Sequence, residues 1–264
     1  MRFILSNIFK KDQNFIVNFE TINTISATAH NQNHDNIKAL LEDNSPLFIK
    51  EHFSYYDMPY NNYDKVIYIY RDGFDTLLSY WHFRNAQSPN KYKNIDQFSN
   101  YYWNGYGTWG EHIYSWTEDK ETLKKCSVYA ISYEELMSDP VRILDNCLKR
   151  LGYKVSLERI VNAINLSSKD KMKRMIRSDS FMKSKDKDFH FVRSGKVNEG
   201  KILNKSIKNT FMSDQYSYDM MLKYGYIEQN NDWDKVKKSY NIQRIELIKN
   251  IFYNLKYKLL NLTR

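Results

Sequence analysis

A three-layer α/β domain, with a mainly parallel sheet flanked by helices, is what this sequence predicts. Three observations carry the prediction. The run "KVIYIY", residues 65 to 70, is continuously apolar or aromatic, the pattern of a strand covered on both faces. Short strand patterns alternate with longer helical ones along most of the chain. Pro and Gly are scarce, 4 and 8 in 264 residues, so no Pro/Gly-rich linker divides the chain, and no internal repeat marks a solenoid.

Taken in order, residues 1 to 10 place Phe3, Ile4, Ile8 and Phe9 at helical spacing, with no capping residue ahead of the apolar pattern. "PLFIK", 46 to 50, is a short strand and "KVIYIY" a second. A helix follows from Gly73 to Ala86. The tract 91 to 121 is aromatic-rich and mostly helical, and "SVYAIS", 127 to 132, is a third strand. Helices fill most of 134 to 176. Residues 177 to 206 carry many Lys, Ser and Asp and read as a mobile loop. Helices return over 208 to 223 and 236 to 262. In parallel sheets of this kind ligands bind at the carboxyl ends of the strands, which directs attention to residues 50 to 53, 71 to 79 and 132 to 134.

Arg71 follows the 65–70 strand directly, and Asp75 and Ser79 share one face of the next helix. A helix start offers free N–H groups and a positive dipole end. A guanidinium forks onto phosphate oxygens and a hydroxyl adds a donor. Two readings meet this spacing: a phosphate site, or a surface pair of Arg71 with Asp75 or Asp72 beside an incidental serine. In "FIKEHF", Lys50 and His52 point to the same side of an extended chain. Histidine takes a proton near neutral pH and lysine neutralises developing negative charge, but Lys-x-His is also a common motif with no role. Tyr133 stands just past the third strand, where a ring can meet a base; Ser132 is also placed to cap a helix with Glu135 as its box partner. In "FVRSGKVNEGK", Arg193, Lys196 and Lys201 surround Gly195, which lets backbone approach an anion; a solvated basic loop has the same composition.

Lys and Arg number 40 against 31 Asp and Glu, a formal charge of +9. That balance suits a polyanionic partner, and AT-rich codon usage gives the same excess. No helix-turn-helix, zinc-finger or RNP pattern supports nucleic-acid binding. Two cysteines are too few for a disulfide scaffold and lack metal-ligand spacing, as do the six histidines. No run of 18 apolar residues marks a membrane span, and the opening residues carry no cleavage site of a signal peptide.

Together and in this order, the motifs closely resemble the sulfotransferase family that uses 3′-phosphoadenosine 5′-phosphosulfate (PAPS). "FIKEHF" is similar to the family's Lys-Thr-His segment, and "KVIYIYRDGFDTLLSYWHF" to its 3′-phosphate strand and helix. "YGTWGEHIYSW" is similar to its Gly-Ser-Trp stretch, "ISYEELMSDP" to its Tyr-Glu-Asp-Leu turn, "SSKDKMKRM" to its Ser-Phe-x-x-Met helix, and "FVRSGKVNEGK" to its Arg-Lys-Gly loop. The resemblance covers residues 1 to 225. It implies the P-loop nucleotide hydrolase-like sulfotransferase fold, with residues 1–230 as the domain and 231–264 as an amphipathic basic helix packed on the domain or a partner.

The resemblance implies roles position by position. His52 is the general base on an acceptor hydroxyl, and Lys50 sits by the sulfuryl group. Arg71, Ser79 and Arg193, with the backbone of Ser194 and Gly195, hold the 3′-phosphate. Tyr133 and the region of Ser167 and Ser168 lie against adenine. His112 lines the acceptor side. PAPS is the co-substrate and no metal is implied. Four positions depart from the family pattern: Glu51 for Thr, Lys169 for a stacking Phe, Ser194 for Lys, and Asn198-Glu199-Gly200 for Gly-Asp-Trp. The family's strand and phosphosulfate-binding loop, which precede a helix like "RFILSNIFK", have no counterpart in the sequence. The domain is therefore expected to be N-terminally truncated, less stable than a longer counterpart, and weak or inactive in transfer. The enzyme reading and that of a catalytically inactive nucleotide- or partner-binding relative both stand on these residues. The acceptor is expected to be a hydroxyl of a small molecule, glycan or lipid, and the location cytoplasmic. The stripe Ile242, Ile245, Ile248, Phe252, Leu255, Leu259, Leu262 predicts a helix that docks on the domain, on a second subunit, or at an acidic membrane surface.

Overall fold

The computed structural model describes residues 1–28, 48–55, 64–87, 94, 95, 98, 107–178 and 195–229. Its strands are β1 (Ser26–Thr28), β2 (Phe48–Lys50), β3 (Lys65–Tyr70) and β4 (Ser127–Ser132). Its helices are α1 (Arg2–Phe9), α2 (Gly73–Gln87), α3 (Trp109–Thr117), α4 (Lys120–Lys125), α5 (Tyr133–Ser138), α6 (Pro140–Arg150), α7 (Leu157–Leu166), α8 (Lys169–Ser178), α9 (Lys205–Met212) and α10 (Gln215–Lys223).

Local chemistry explains most helix starts. Asp119, Ser132, Asp139, Ser156, Asn204 and Asp214 each offer a side-chain oxygen to a backbone N–H of the first turn. Thr108 and Glu111 close a full capping box at α3. Asp72 caps α2 by accepting from the Asp75 N–H at 2.9 Å. Ser132 accepts from the Glu135 N–H at 3.2 Å, as its spacing predicts, while its own hydroxyl donates to Glu134 rather than engaging Glu135 as a box partner.

The α/β class is as expected, and both ladders among the described residues are parallel. The ladders fall into two pairs, β1 with β2 and β3 with β4, rather than one continuous sheet among the described residues. Strand β3 packs on both faces, but the cover predicted from its continuous apolar run is incomplete: Ile69 is exposed. On one side, Ile67 packs with Tyr129 and Ile131 of β4 against Leu5 and Ile8 of α1, Leu144 and Leu148 of α6 and Ile160 of α7. Phe48 of β2 joins the same cluster, so one core underlies both strand pairs. On the other side, Tyr68 and Tyr70 meet Leu77, Ile113, Phe211, Met212 and Met221 from α2, α3, α9 and α10. These are the three predicted layers.

The strands predicted over 65–70 and 127–132 are observed there, and that predicted over 46–50 is observed as β2. Strand β1, Ser-Ala-Thr, was not predicted because it has no apolar run. Arg2 of α1 holds it, donating from Nε to Ser26 Oγ at 3.2 Å and from Nη2 to the Ser26 carbonyl. Ser26 Oγ donates to the Phe48 carbonyl of β2 at 3.0 Å. Part of the tract predicted as a loop, 177–206, is ordered: Glu199–Ile202 is a short 3-10 helix and α9 begins at Lys205. The predicted helix over 236–262 lies outside the described residues. No helix among the described residues is long and apolar enough to cross a membrane.

Candidate functional site

The β3–β4 register pairs Tyr70 with Ser132. The next residue on each chain is therefore Arg71 on one side and Tyr133 on the other, and the Arg71 guanidinium lies over the Tyr133 ring at 4.9 Å. Arg71 Nη2 donates to Asp75 Oδ2 at 2.9 Å, one helical turn on, and to the Lys196 carbonyl at 2.6 Å. Its Nε is buried with no hydrogen-bond partner among the described residues. Of the two readings of the Arg71 spacing, the structure shows the pairing with Asp75. It is not a surface pair: Asp75 is 1% exposed and Arg71 17%.

Asp75 does more than pair with Arg71. Its Oδ1 accepts from the Gly200 N–H at 2.5 Å. A Cβ at Gly200 would lie 2.5 Å from the Phe74 carbonyl carbon, so the 199–202 turn sits directly on the first turn of α2. Tyr133 holds the same segment from the other side, its hydroxyl donating to the Gly195 carbonyl at 3.2 Å. Gly195 has φ +64, a left-handed conformation that favours glycine. The Lys169 side chain comes within 4.0 Å of where its Cβ would be. Burial pushes the Tyr133 phenol up and Arg71 opposes it. Asp72, whose carboxyl is pushed up by burial, donates its backbone N–H to the Glu134 carboxylate at 3.1 Å, and Glu134 also accepts from Ser132 and Tyr226.

The structure therefore brings together Arg71, Tyr133, Gly195 and Lys196, from three separate segments, at the carboxyl ends of β3 and β4. Ser79 lies two turns into α2, half-buried. Ser167 closes α7 and its hydroxyl accepts from Asn7 Nδ2 at 3.3 Å, which ties it to α1. Arg193 and Ser194 lie outside the described residues. The part played by Asp75 and Glu134 was not foreseen as a brace. Their spacing to Arg71 and Ser132 was visible in the sequence, but their distant partners were not.

At the end of β2, Lys50 is the last strand residue. Crowding by the surrounding chain lowers its pKa, the nearby Arg2 lowers it further, and Glu51 opposes both. Glu51 turns back on its own backbone: Oε1 accepts from the His52 N–H at 2.6 Å and the Phe53 N–H at 3.0 Å. Its Oε2 is buried without a hydrogen-bond partner among the described residues. His52 is exposed. His112 has both ring nitrogens engaged, Nδ1 with the Tyr68 hydroxyl at 2.7 Å and Nε2 with the His52 carbonyl at 3.0 Å. His112 thus reaches the main chain of His52, two residues past Lys50 at the end of β2. Among the described residues no group of His, Cys, Asp or Glu is placed to hold a metal ion.

A family model described as "Sulfotransferase domain" matches residues 5–221. Human sulfotransferase 2A1 is 29% identical over 142 residues, 51% of this chain and 49% of its own. The 3-beta-hydroxysteroid sulfotransferase of Cavia porcellus is 30% identical over 144 residues, 52% of this chain and 49% of its own. The chain spans about half the length of the curated relatives it matches. Among solved structures, a mouse sulfotransferase complexed with PAP superposes with a TM-score of 0.57 at 20% identity, covering 89% of this chain and 84% of that one. Retinol dehydratase in complex with retinol and PAP superposes with a TM-score of 0.54 at 21% identity, covering 70% and 57%. At those identities the two structures speak for the fold.

Proposed function

The chain belongs to the sulfotransferase domain family, and from that premise we propose that it moves a sulfuryl group from PAPS to an acceptor hydroxyl. The observation that carries the reading is Arg71. It is a nearly buried guanidinium at a strand end, with an unpartnered Nε, beside an aromatic ring and a left-handed glycine. An unpaired buried donor is costly, and an anion is the ligand that satisfies a cationic one. A ribose-borne phosphate fits on chemistry: Arg71 supplies charge, Ser79 a hydroxyl, and Arg193 with the backbone of Ser194 and Gly195 the other side. Tyr133 and the Ser167 region take the adenine. PAP, bound in the two solved relatives, has this chemistry.

At the β2 end, His52 takes the proton of the acceptor hydroxyl as its oxygen attacks sulfur. The bond from sulfur to the bisphosphate oxygen breaks, and Lys50 neutralises the charge that builds there. Adenosine 3′,5′-bisphosphate leaves. Positioning and charge stabilisation supply most of the rate, as in phosphoryl transfer. The acceptor is a small-molecule hydroxyl, in line with the retinol and androsterone complexes of retinol dehydratase, and His112 stands at its edge. A cytoplasmic location goes with this reading, since Cys126 and Cys147 are both free buried thiols.

The test is calorimetry with adenosine 3′,5′-bisphosphate alongside a turnover assay with labelled PAPS and an acceptor panel. Arg71→Ala weakens bisphosphate binding by about 10- to 100-fold, the scale of a lost charge-assisted bond. His52→Ala leaves binding nearly intact and costs at least about 100-fold in rate. Binding without turnover across the panel would turn the reading into that of a nucleotide-binding relative. No binding would end it.

A further inference from the structure

Helix α3 presents His112, Ser115 and Trp116 on one face, at steps of three and four. All three hold the main chain leaving β2. His112 Nε2 bonds the His52 carbonyl at 3.0 Å, Trp116 Nε1 donates to the Phe53 carbonyl at 3.0 Å, and Ser115 Oγ accepts from the Tyr55 N–H at 3.1 Å. Ser115 Oγ in turn donates to the His112 carbonyl at 2.8 Å. The helix is a splint along residues 52–55.

His112 differs from the other two because its second nitrogen is held from β3. A carbonyl oxygen only accepts, so Nε2 carries the ring proton and Nδ1 has a lone pair. The Tyr68 hydroxyl, 2.7 Å away, donates to it. Burial pushes the Tyr68 phenol well up, so its proton stays on oxygen. Protonating His112 would put an N–H against that O–H and leave the buried hydroxyl to seek another acceptor. The imidazole is thus fixed in one tautomer by β3 and spent on the main chain leaving β2.

The geometry points to His112 as a positioning residue: locked as the Nε2–H form by Tyr68, it fixes the main chain at His52 and so where that imidazole stands. This rests on His52 as the base of the proposed transfer. It gives His112 a bond to the enzyme rather than to the acceptor. It also links the two ends of the site, because Tyr68 lies on β3, three residues before Arg71, which follows the end of that strand.

The experiment is imidazole 15N–1H NMR on the labelled full chain, with assignments from His112→Gln and His52→Asn. His112 reads as the Nε2–H tautomer in the wild type and as a mixture in Tyr68→Phe, which deletes one oxygen. An Nδ1–H signal in the wild type would overturn the lock. His112→Ala shifts the His52 resonance and its titration midpoint, and His112→Gln, whose amide N–H reaches the same carbonyl, restores them. A His52 signal unmoved by His112→Ala would overturn the positioning role. In turnover, His112→Ala lowers kcat about 10- to 100-fold, the scale of a misplaced catalytic group, with acceptor KM unchanged and no further loss in a His52→Ala background. An additive loss would also overturn it. If His52→Ala alone left the rate intact, the base assignment would fall, while the tautomer and titration results would still judge the Tyr68–His112 pair.

Discussion

Replacing Asp75 by Asn isolates the brace at the nucleotide end. The two side chains have the same shape, so no cavity opens. The carboxylate now serves two donors with two oxygens: Oδ2 accepts from Arg71 at 2.9 Å and Oδ1 from the Gly200 N–H at 2.5 Å. An amide has one oxygen, and its NH2 must face the other donor. Whichever way it turns, one charge-assisted bond becomes a donor–donor contact, a loss of about 1.5–3 kcal/mol. Arg71, left mostly buried without its carboxylate, can only add to that loss. For a domain of this size each kcal/mol moves Tm by about 2–4 °C, so the variant should melt about 3–12 °C lower. Bisphosphate affinity should fall with it, because both the guanidinium and the 195–200 segment lose their anchor. Asp72→Asn is the control: it keeps a capping oxygen for the Asp75 N–H and should change stability by less than about 0.5 kcal/mol. Scanning calorimetry on the three proteins decides the matter. An Asp75→Asn variant that melts within about 1 °C of the wild type, below the smallest expected shift, refutes the brace.

Tyr133→Phe keeps the ring under Arg71 and loses the bond to the Gly195 carbonyl, so calorimetric affinity for the bisphosphate should fall by about 0.5–1.5 kcal/mol, and Tyr133→Ala by more. Gly110→Ala would place a Cβ 2.0 Å from the Ser217 backbone nitrogen, a contact no rotamer relieves, and should leave no soluble folded protein. At Gly152, with φ +83 and a nearest atom at 3.6 Å, alanine should cost only about 1–2 kcal/mol of thermal stability. Burial raises the Asp214 pKa above 3.8, and a raised folded-state pKa contributes stability that is present below 3.8 and lost as pH climbs through the folded value. Asp214→Asn keeps an oxygen for the Ser217 N–H and the Thr108 hydroxyl. It should therefore gain on the wild type as pH rises from the acid range to neutral, read as the difference in Tm across a pH series.

The fold was legible wherever the chemistry is local. The continuous run at 65–70 announced a strand with apolar packing on both sides, and Ser132 announced a helix start through its own side chain. Strand β1 was not legible, because Ser-Ala-Thr becomes a strand only through Arg2 and the β2 backbone. Of the site, Arg71 and Tyr133 were read from strand ends, and the register of β3 with β4 makes them neighbours. Arg193 and Ser194 lie outside the described residues, so that side of the proposed phosphate site is read from the sequence alone. What the sequence could not carry was the pairing across distance: Asp75 with Gly200, and Tyr68 with His112. A carboxylate four residues after an arginine, or a tyrosine inside a strand, has no mark that names a partner so far along the chain.

The two separate strand pairs also bear on how the chain reaches its native state. Ser26 meets Phe48 and Lys65 meets Ser127, so neither ladder can zip from a hairpin; each waits for a long excursion to return. Closing the longer excursion costs about 0.9 kcal/mol more than the shorter, by the logarithm of their lengths. Helices with good caps, such as α3 and α6, form within microseconds, and the ladders must then be sealed by diffusion. Folding should accordingly be slow for the amount of helix in the molecule, with the β3–β4 docking setting the pace.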